Sequence, residues 1–82
     1  MSEKLPVSEF YKVVDHVTIF KSDKWWEAIV VVESFGKRSI AMYLWVFRDG
    51  VWKRKHKFTV RNLEELNKVK NAMDRLAPKV YG

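Results

Sequence analysis

The sequence predicts an α+β domain: a four-stranded antiparallel β-meander followed by one C-terminal α-helix, in the order β-β-β-β-α. Three observations predict it. Residues 10–60 hold four runs rich in β-branched and aromatic residues, each closed by a short polar or glycine-containing turn. Residues 63–76 then switch to apolar spacings of three and four, the period of an amphipathic helix. The connections between the strand runs are short enough for hairpins, whereas parallel neighbours would need long crossovers.

The elements follow in order. Residues 1–9 are polar, carry Pro6 and read as a flexible N-terminal arm, which leaves residues 10–82 as one domain. The first strand runs from Phe10 to Phe20 and ends in the turn-like Ser22-Asp23-Lys24. The second spans Trp25 to Phe35, and Gly36-Lys37-Arg38 closes it. The third spans Ser39 to Phe47. Asp49-Gly50 between apolar runs favours a tight hairpin turn, and the fourth strand continues from Val51 to Val60. Leu63, Leu66, Val69, Met73 and Leu76 form the helical stripe. Asn62 suits the N-cap, with Glu65 placed to complete a capping box. Glu64 and Glu65 stand at the positive end of the helix dipole, Arg75 near the negative end, and Pro78 stops the helix.

Eighty-two residues make a single small domain whose own core supplies little stability, so aromatic packing, oligomerisation or both must contribute. Hydrophobic residues reach 48% and aromatics 15%, which excludes a disordered chain. Cysteine is absent, which removes disulfides, thiolate metal sites and a cysteine nucleophile. The longest apolar run, Ile40 to Phe47, is far short of the roughly 20 residues of a spanning helix. The first six residues lack the apolar segment of a secretory signal. The expectation is an intracellular protein, cytoplasmic or nucleoid-associated.

The net charge of +6 is unevenly spread. Residues 1–36 balance at −2 and residues 62–82 at +1, whereas residues 37–61 carry +7 with Asp49 as their one acid. A basic field so concentrated attracts polyanions, of which nucleic acid is the commonest in a cell. A solvated basic face that keeps the protein soluble is the plainer alternative.

Strand alternation divides the side chains into faces. In the third strand Ile40, Met42, Leu44 and Val46 share a purely aliphatic face, suited to the helical stripe. Tyr43, Trp45 and Phe47 share the other, and no second layer in the chain is expected to cover them. In the fourth strand strict alternation puts Lys53, Lys55 and Lys57 on one face, opposite Trp52, Arg54, His56 and Phe58. An aromatic stripe beside a lysine stripe matches the needs of an unpaired nucleic-acid strand. Bases stack on the rings and phosphates take the cations. The plainer alternative is that these rings pack in a dimer interface or a second core.

With this order of elements the chain resembles the positive cofactor four family, single-stranded-DNA-binding transcriptional coactivators. The likeness covers roughly Val17 to Leu76. It rests on Trp26, on Phe35-Gly36-Lys37-Arg38, on a third strand ending in Trp45, and on Thr59-Val60-Arg61-Asn62-Leu63-Glu64-Glu65-Leu66. The resemblance implies a curved sheet backed by a helix, a homodimer, and unpaired DNA lying across basic and aromatic grooves. It implies contacts from Phe35, Lys37, Arg38, Trp45 and the lysines of the fourth strand, with Trp26 beside them. Tyr43 and Phe47 join the candidate contacts from the face assignment alone. Ile40-Ala41-Met42-Tyr43 departs from the Ile-Asp-Ile-Arg run usual in that family, so Tyr43 stands where an arginine would meet phosphate.

Catalytic and metal chemistry find no support. His16 and His56 are the only histidines and have no companion ligands at metal-binding spacing. Asp15 and His16 are adjacent on a strand and point to opposite faces. Glu27 and Glu33 lie about 20 Å apart on an extended strand, too far for paired carboxylate chemistry. No phosphate-cradling glycine loop is present, and no cofactor or small-molecule substrate is expected. Two readings remain. One is a non-enzymatic single-stranded DNA-binding protein of transcription, replication or repair, with RNA as a second ligand. The other is a dimeric protein-interaction module whose aromatic face a protein partner buries. Both expect a homodimer, with Leu66, Val69, Met73 and Leu76 at its interface; the alternative for that stripe is that it covers the chain's own sheet.

Overall fold

All four apolar runs are strands in the computed structural model, which describes residues 5–81. The strands are β1 (Lys12–Lys21), β2 (Trp25–Ser34), β3 (Lys37–Arg48) and β4 (Val51–Val60). They pair in sequence order as one antiparallel sheet, followed by α1 (Leu63–Leu76) and the single turn α2 (Pro78–Tyr81). The α+β meander with a C-terminal helix is thus the observed fold. No helix among the described residues is long and apolar enough to cross a membrane.

Two hairpins share one geometry. Asp49 and Gly50 both have positive φ, at 53° and 79°, as do Phe35 and Gly36, at 53° and 74°. Positive φ at both central residues is the requirement of the type I′ turn, whose twist matches that of the flanking strands. The second turn is therefore Phe35-Gly36, one step earlier than expected, and Lys37 and Arg38 begin β3.

The helix starts as its sequence dictates. The Asn62 side chain accepts a hydrogen bond from the Glu65 N–H at 2.8 Å. The Glu65 carboxylate reaches back past the cap to accept from the Arg61 N–H at 2.7 Å. Pro78 does not lead into a loop. Ala77 keeps helical dihedrals, and Pro78 takes the first position of α2, where its missing N–H is of no consequence.

The register sets the faces. Across the sheet, Lys21, Trp26, Trp45 and Arg54 form one row, and Thr18, Ala28, Tyr43 and Lys57 the next. On the opposite side Val17, Ile29, Met42 and Phe58 form a row, with Val31, Ile40 and Val60 beside it. We call these the aromatic and aliphatic faces. The fully buried residues Trp26, Ala28, Val30, Val32, Ala41, Tyr43 and Trp45 make one cluster, all on the aromatic face.

Burial therefore falls opposite to the expectation. The aromatic face is covered, in part by the N-terminal segment: Leu5 is only 7% exposed within the cluster, and Val7, Tyr11 and Trp52 pack against it. The described part of the expected arm is thus docked, not loose; residues 1–4 of that arm, and Gly82, lie outside the described residues. The aliphatic face is the more open one, although Val46 is buried on it. α1 lies over this face with its backbone nearest β4, leaving an apolar groove above β2 and β3, and no helical residue is fully buried.

Candidate nucleic-acid interface

The aromatic face is a continuous set of rings held by cross-strand pairing. Trp26 and Trp45 are direct partners with centroids 5.1 Å apart, and Tyr43 stacks on Trp45 at 5.2 Å with planes 13° apart. Trp52 meets Trp26 at 5.6 Å and Phe47 at 5.2 Å, edge to face. Offset and edge-to-face contacts suit the ring quadrupoles and add to the area buried. The Trp26 indole N–H donates to Thr18 Oγ1 at 3.1 Å, which fixes the ring against β1.

Cations frame these rings. The Lys21 ammonium lies 4.0 Å from the Trp26 centroid, and Arg54 is the partner of Trp45 on the other edge. Lys57 places its ammonium 4.5 Å from the Tyr11 centroid and 5.4 Å from that of Tyr43. Sequence alternation missed Lys21, Trp52 and Arg54 as members of this face. The row Lys21–Trp26–Trp45–Arg54 emerges only from the register.

The expected lysine stripe is broken. Trp45 pairs with Arg54 and Leu44 with His56, so Lys55 is an extra residue, a β-bulge in β4. Beyond a bulge the alternation restarts on the other side. Lys57, paired with Tyr43, belongs to the aromatic face; Lys53, paired with Val46, belongs to the aliphatic one. Lys53 also lies 3.5 Å from the Asp49 carboxylate.

Tyr43 and Trp45, expected to be uncovered, are 2% and 0% exposed, and Trp26 is equally buried. Their rings cannot accept a base in this arrangement. The reason is the packing just described: neighbouring rings and the N-terminal segment occupy the space above them. The Tyr43 hydroxyl and the Trp45 indole nitrogen are buried without a hydrogen-bond partner.

Other candidates are open to solvent. Phe47 is 40% exposed beside the half-buried Trp52. At the far end of β3, Phe35 is 87% exposed at the hairpin tip and touches only the edge of another exposed ring, Phe10, at 5.2 Å among its aromatic contacts. Lys37 and Arg38 follow it, Arg38 donating to Glu33 at 3.0 Å. Lys37 pairs with Ser34 on the aromatic side, Arg38 with Glu33 on the aliphatic side.

The expected interface stripe of α1 is also placed. Leu66 and Val69 are half-buried, while Met73 and Leu76 are more than half exposed. Leu66, Val69 and Met73 border an apolar groove of about 170 Å³ whose floor is Ile29, Ile40, Met42, Phe58 and Val60. Among the described residues no group of three or more His, Asp or Glu side chains is placed to hold a metal ion.

No family model, curated protein or solved structure matches the chain.

Proposed function

We propose that this protein is a non-enzymatic, intracellular binder of single-stranded DNA, acting in transcription, replication or repair, and that it works as a homodimer. Phe35 carries the reading. An L-residue in the left-handed region costs about 1–2 kcal/mol, and glycine or asparagine would sit there with less strain. Phe35 adopts φ 53° and yet remains 87% exposed, so the fold recovers little from burying it. Backbone strain retained at an exposed aromatic, with Lys37 and Arg38 following it, points to a ligand outside the chain.

The contacts fit an unpaired strand. Phe47 and Trp52 offer ring surface at one end of β3 and Phe35 at the other, with Lys37, Arg54 and Lys57 as phosphate partners between and beside them. Stacking on an exposed ring is worth about 1–3 kcal/mol per base, and a paired base has no free face to offer. The alternative, in which a protein partner covers the aromatic face, meets the same covered rings and gives the basic residues Lys37, Arg54 and Lys57 no role.

The dimer proposal rests on the opposite side of the sheet. Met42, Phe58 and Met73 are exposed around the α1 groove. Exposed Val17 pairs with its floor residue Ile29, and exposed Leu76 shares a surface with Met73. A small domain gains by burying an apolar patch of this kind. A second copy covers both its own patch and its partner's through one isologous contact.

Titration of the full chain with labelled oligo-dT, a duplex of equal length and single-stranded RNA, followed by tryptophan fluorescence, tests the function. Unpaired DNA is expected to bind at least about tenfold more tightly than duplex, the value of one stacked base. Equal affinity for both forms would reduce the interaction to plain electrostatics and leave the rings structural.

A further inference from the structure

Residues 5–11 lie on the aromatic face as a strap. Leu5 joins the core cluster, Val7 and Tyr11 pack on it half-buried, and Phe10 meets Phe35. The backbone hydrogen bonds of Val7 and Tyr11 go to Leu5 and Ser8, within the strap itself. What the strap gives the sheet is side-chain burial and the cation–π contact between Lys57 and Tyr11.

We infer that this strap is an internal competitor for the nucleic-acid site: it occupies the ring surface that unpaired bases would use, and binding at Tyr43 and Trp45 requires it to lift. The inference rests on the single-strand reading above. Two observations support it beyond simple burial. Tyr11 already does what a base would do, presenting a π-face to the Lys57 ammonium next to Tyr43. Beneath the covered surface, the Tyr43 hydroxyl and Trp45 N–H are buried with no hydrogen-bond partner. Buried polar groups in a permanent core are nearly always paired. A base, with carbonyls and ring nitrogens around its edge, carries the acceptors these two donors lack.

The energies are matched in scale. Burying one leucine and stacking one base are contributions of the same size. A strand of several nucleotides can therefore displace a strap anchored by one fully buried residue, while a lone nucleotide cannot. The chain thus discriminates against short ligands and against duplex, whose bases cannot enter.

The test weakens the strap and leaves the sheet intact. Leu5→Ser and Tyr11→Ala are compared with the parent for acrylamide quenching of tryptophan fluorescence and for oligo-dT affinity. Circular dichroism and urea unfolding establish that each is folded. An apparent affinity is reduced by the fraction of molecules in the competent state, so opening the strap is expected to increase quenching and raise affinity by about three- to tenfold. If Leu5→Ser does not fold, Tyr11→Ala decides, because it removes only a half-buried ring. Binding by the parent with unchanged or weaker affinity in the folded variants overturns the strap and leaves the single-strand reading standing. No binding by parent or variants, with quenching increased, overturns both.

Discussion

Lys53 and Lys57 stand on opposite faces of the sheet, although four residues apart on a strand they would share one. The bulge at Lys55 separates them, and Lys57 alone of the two reaches the aromatic cluster. Lys57→Ala is expected to weaken oligo-dT binding and flatten the slope of log affinity against log salt by about 0.7, one phosphate contact on a single strand. Lys53→Ala should leave that slope at the parent value. Removing Lys53, Lys55 and Lys57 together should therefore cost well under the ~2 units that three backbone contacts would. Titrations at several salt concentrations read all three slopes.

Tyr43→Phe should leave the protein as stable as the parent or raise its stability by about 1 kcal/mol. The hydroxyl it removes is buried without a partner, and an unsatisfied buried polar group costs about 1–3 kcal/mol. The midpoint of urea unfolding checks this; a clear loss would mean that the hydroxyl is bonded. Trp45→Ala behaves otherwise. Deleting a ring that is 0% exposed costs about 3–5 kcal/mol, comparable to the whole stability of a small domain, so this variant cannot serve as a binding probe.

The strands, the Asp49-Gly50 turn and the helix were legible because each leaves a local mark: β-branched runs, a glycine at positive φ, a period of three and four. The sorting of β3 into Ile40, Met42, Leu44 and Val46 against Tyr43, Trp45 and Phe47 was legible as well. Which face is covered was not. That depends on α1 leaving a groove above β2 and β3, and on Leu5 docking from a polar segment with no periodicity to announce it. The bulge at Lys55 was invisible for a related reason. Residues 53–57 are all polar, so no hydrophobic alternation marks the point where the register slips. Strand pattern alone puts Phe35 at the end of the second strand, and only the family resemblance places it in the hairpin, because large side chains rarely adopt positive φ.

Phe35→Asn should separate stability from binding. Asparagine tolerates the left-handed region, so the fold is expected to gain about 0.5–1 kcal/mol in urea unfolding. Oligo-dT affinity is expected to fall by about 1–3 kcal/mol as the exposed ring is lost. A variant that is more stable and binds as well as the parent would assign Phe35 no part in the interface.

Met73→Glu should dissociate the proposed dimer without unfolding the chain. Met73 is 59% exposed, and substitutions at such helical positions usually change stability by no more than about 0.5 kcal/mol. Light scattering at tens of micromolar should give twice the 9.8 kDa of one chain for the parent and the single-chain mass for the variant. A parent that already runs as a single chain would remove the dimer from the account.

The central claim is that an unpaired strand lies along the ring-bearing side of β3 and β4, from Phe47 and Trp52 toward Phe35. Photo-cross-linking with an oligo-dT carrying a photoreactive thymine analogue, mapped by mass spectrometry, reads that path directly. The account predicts cross-links at Phe35, Phe47 and Trp52, lost when the salt concentration is raised. Cross-links confined to Met42 and Phe58 on the aliphatic face, or none from an oligonucleotide that reaches the protein in excess, would contradict it.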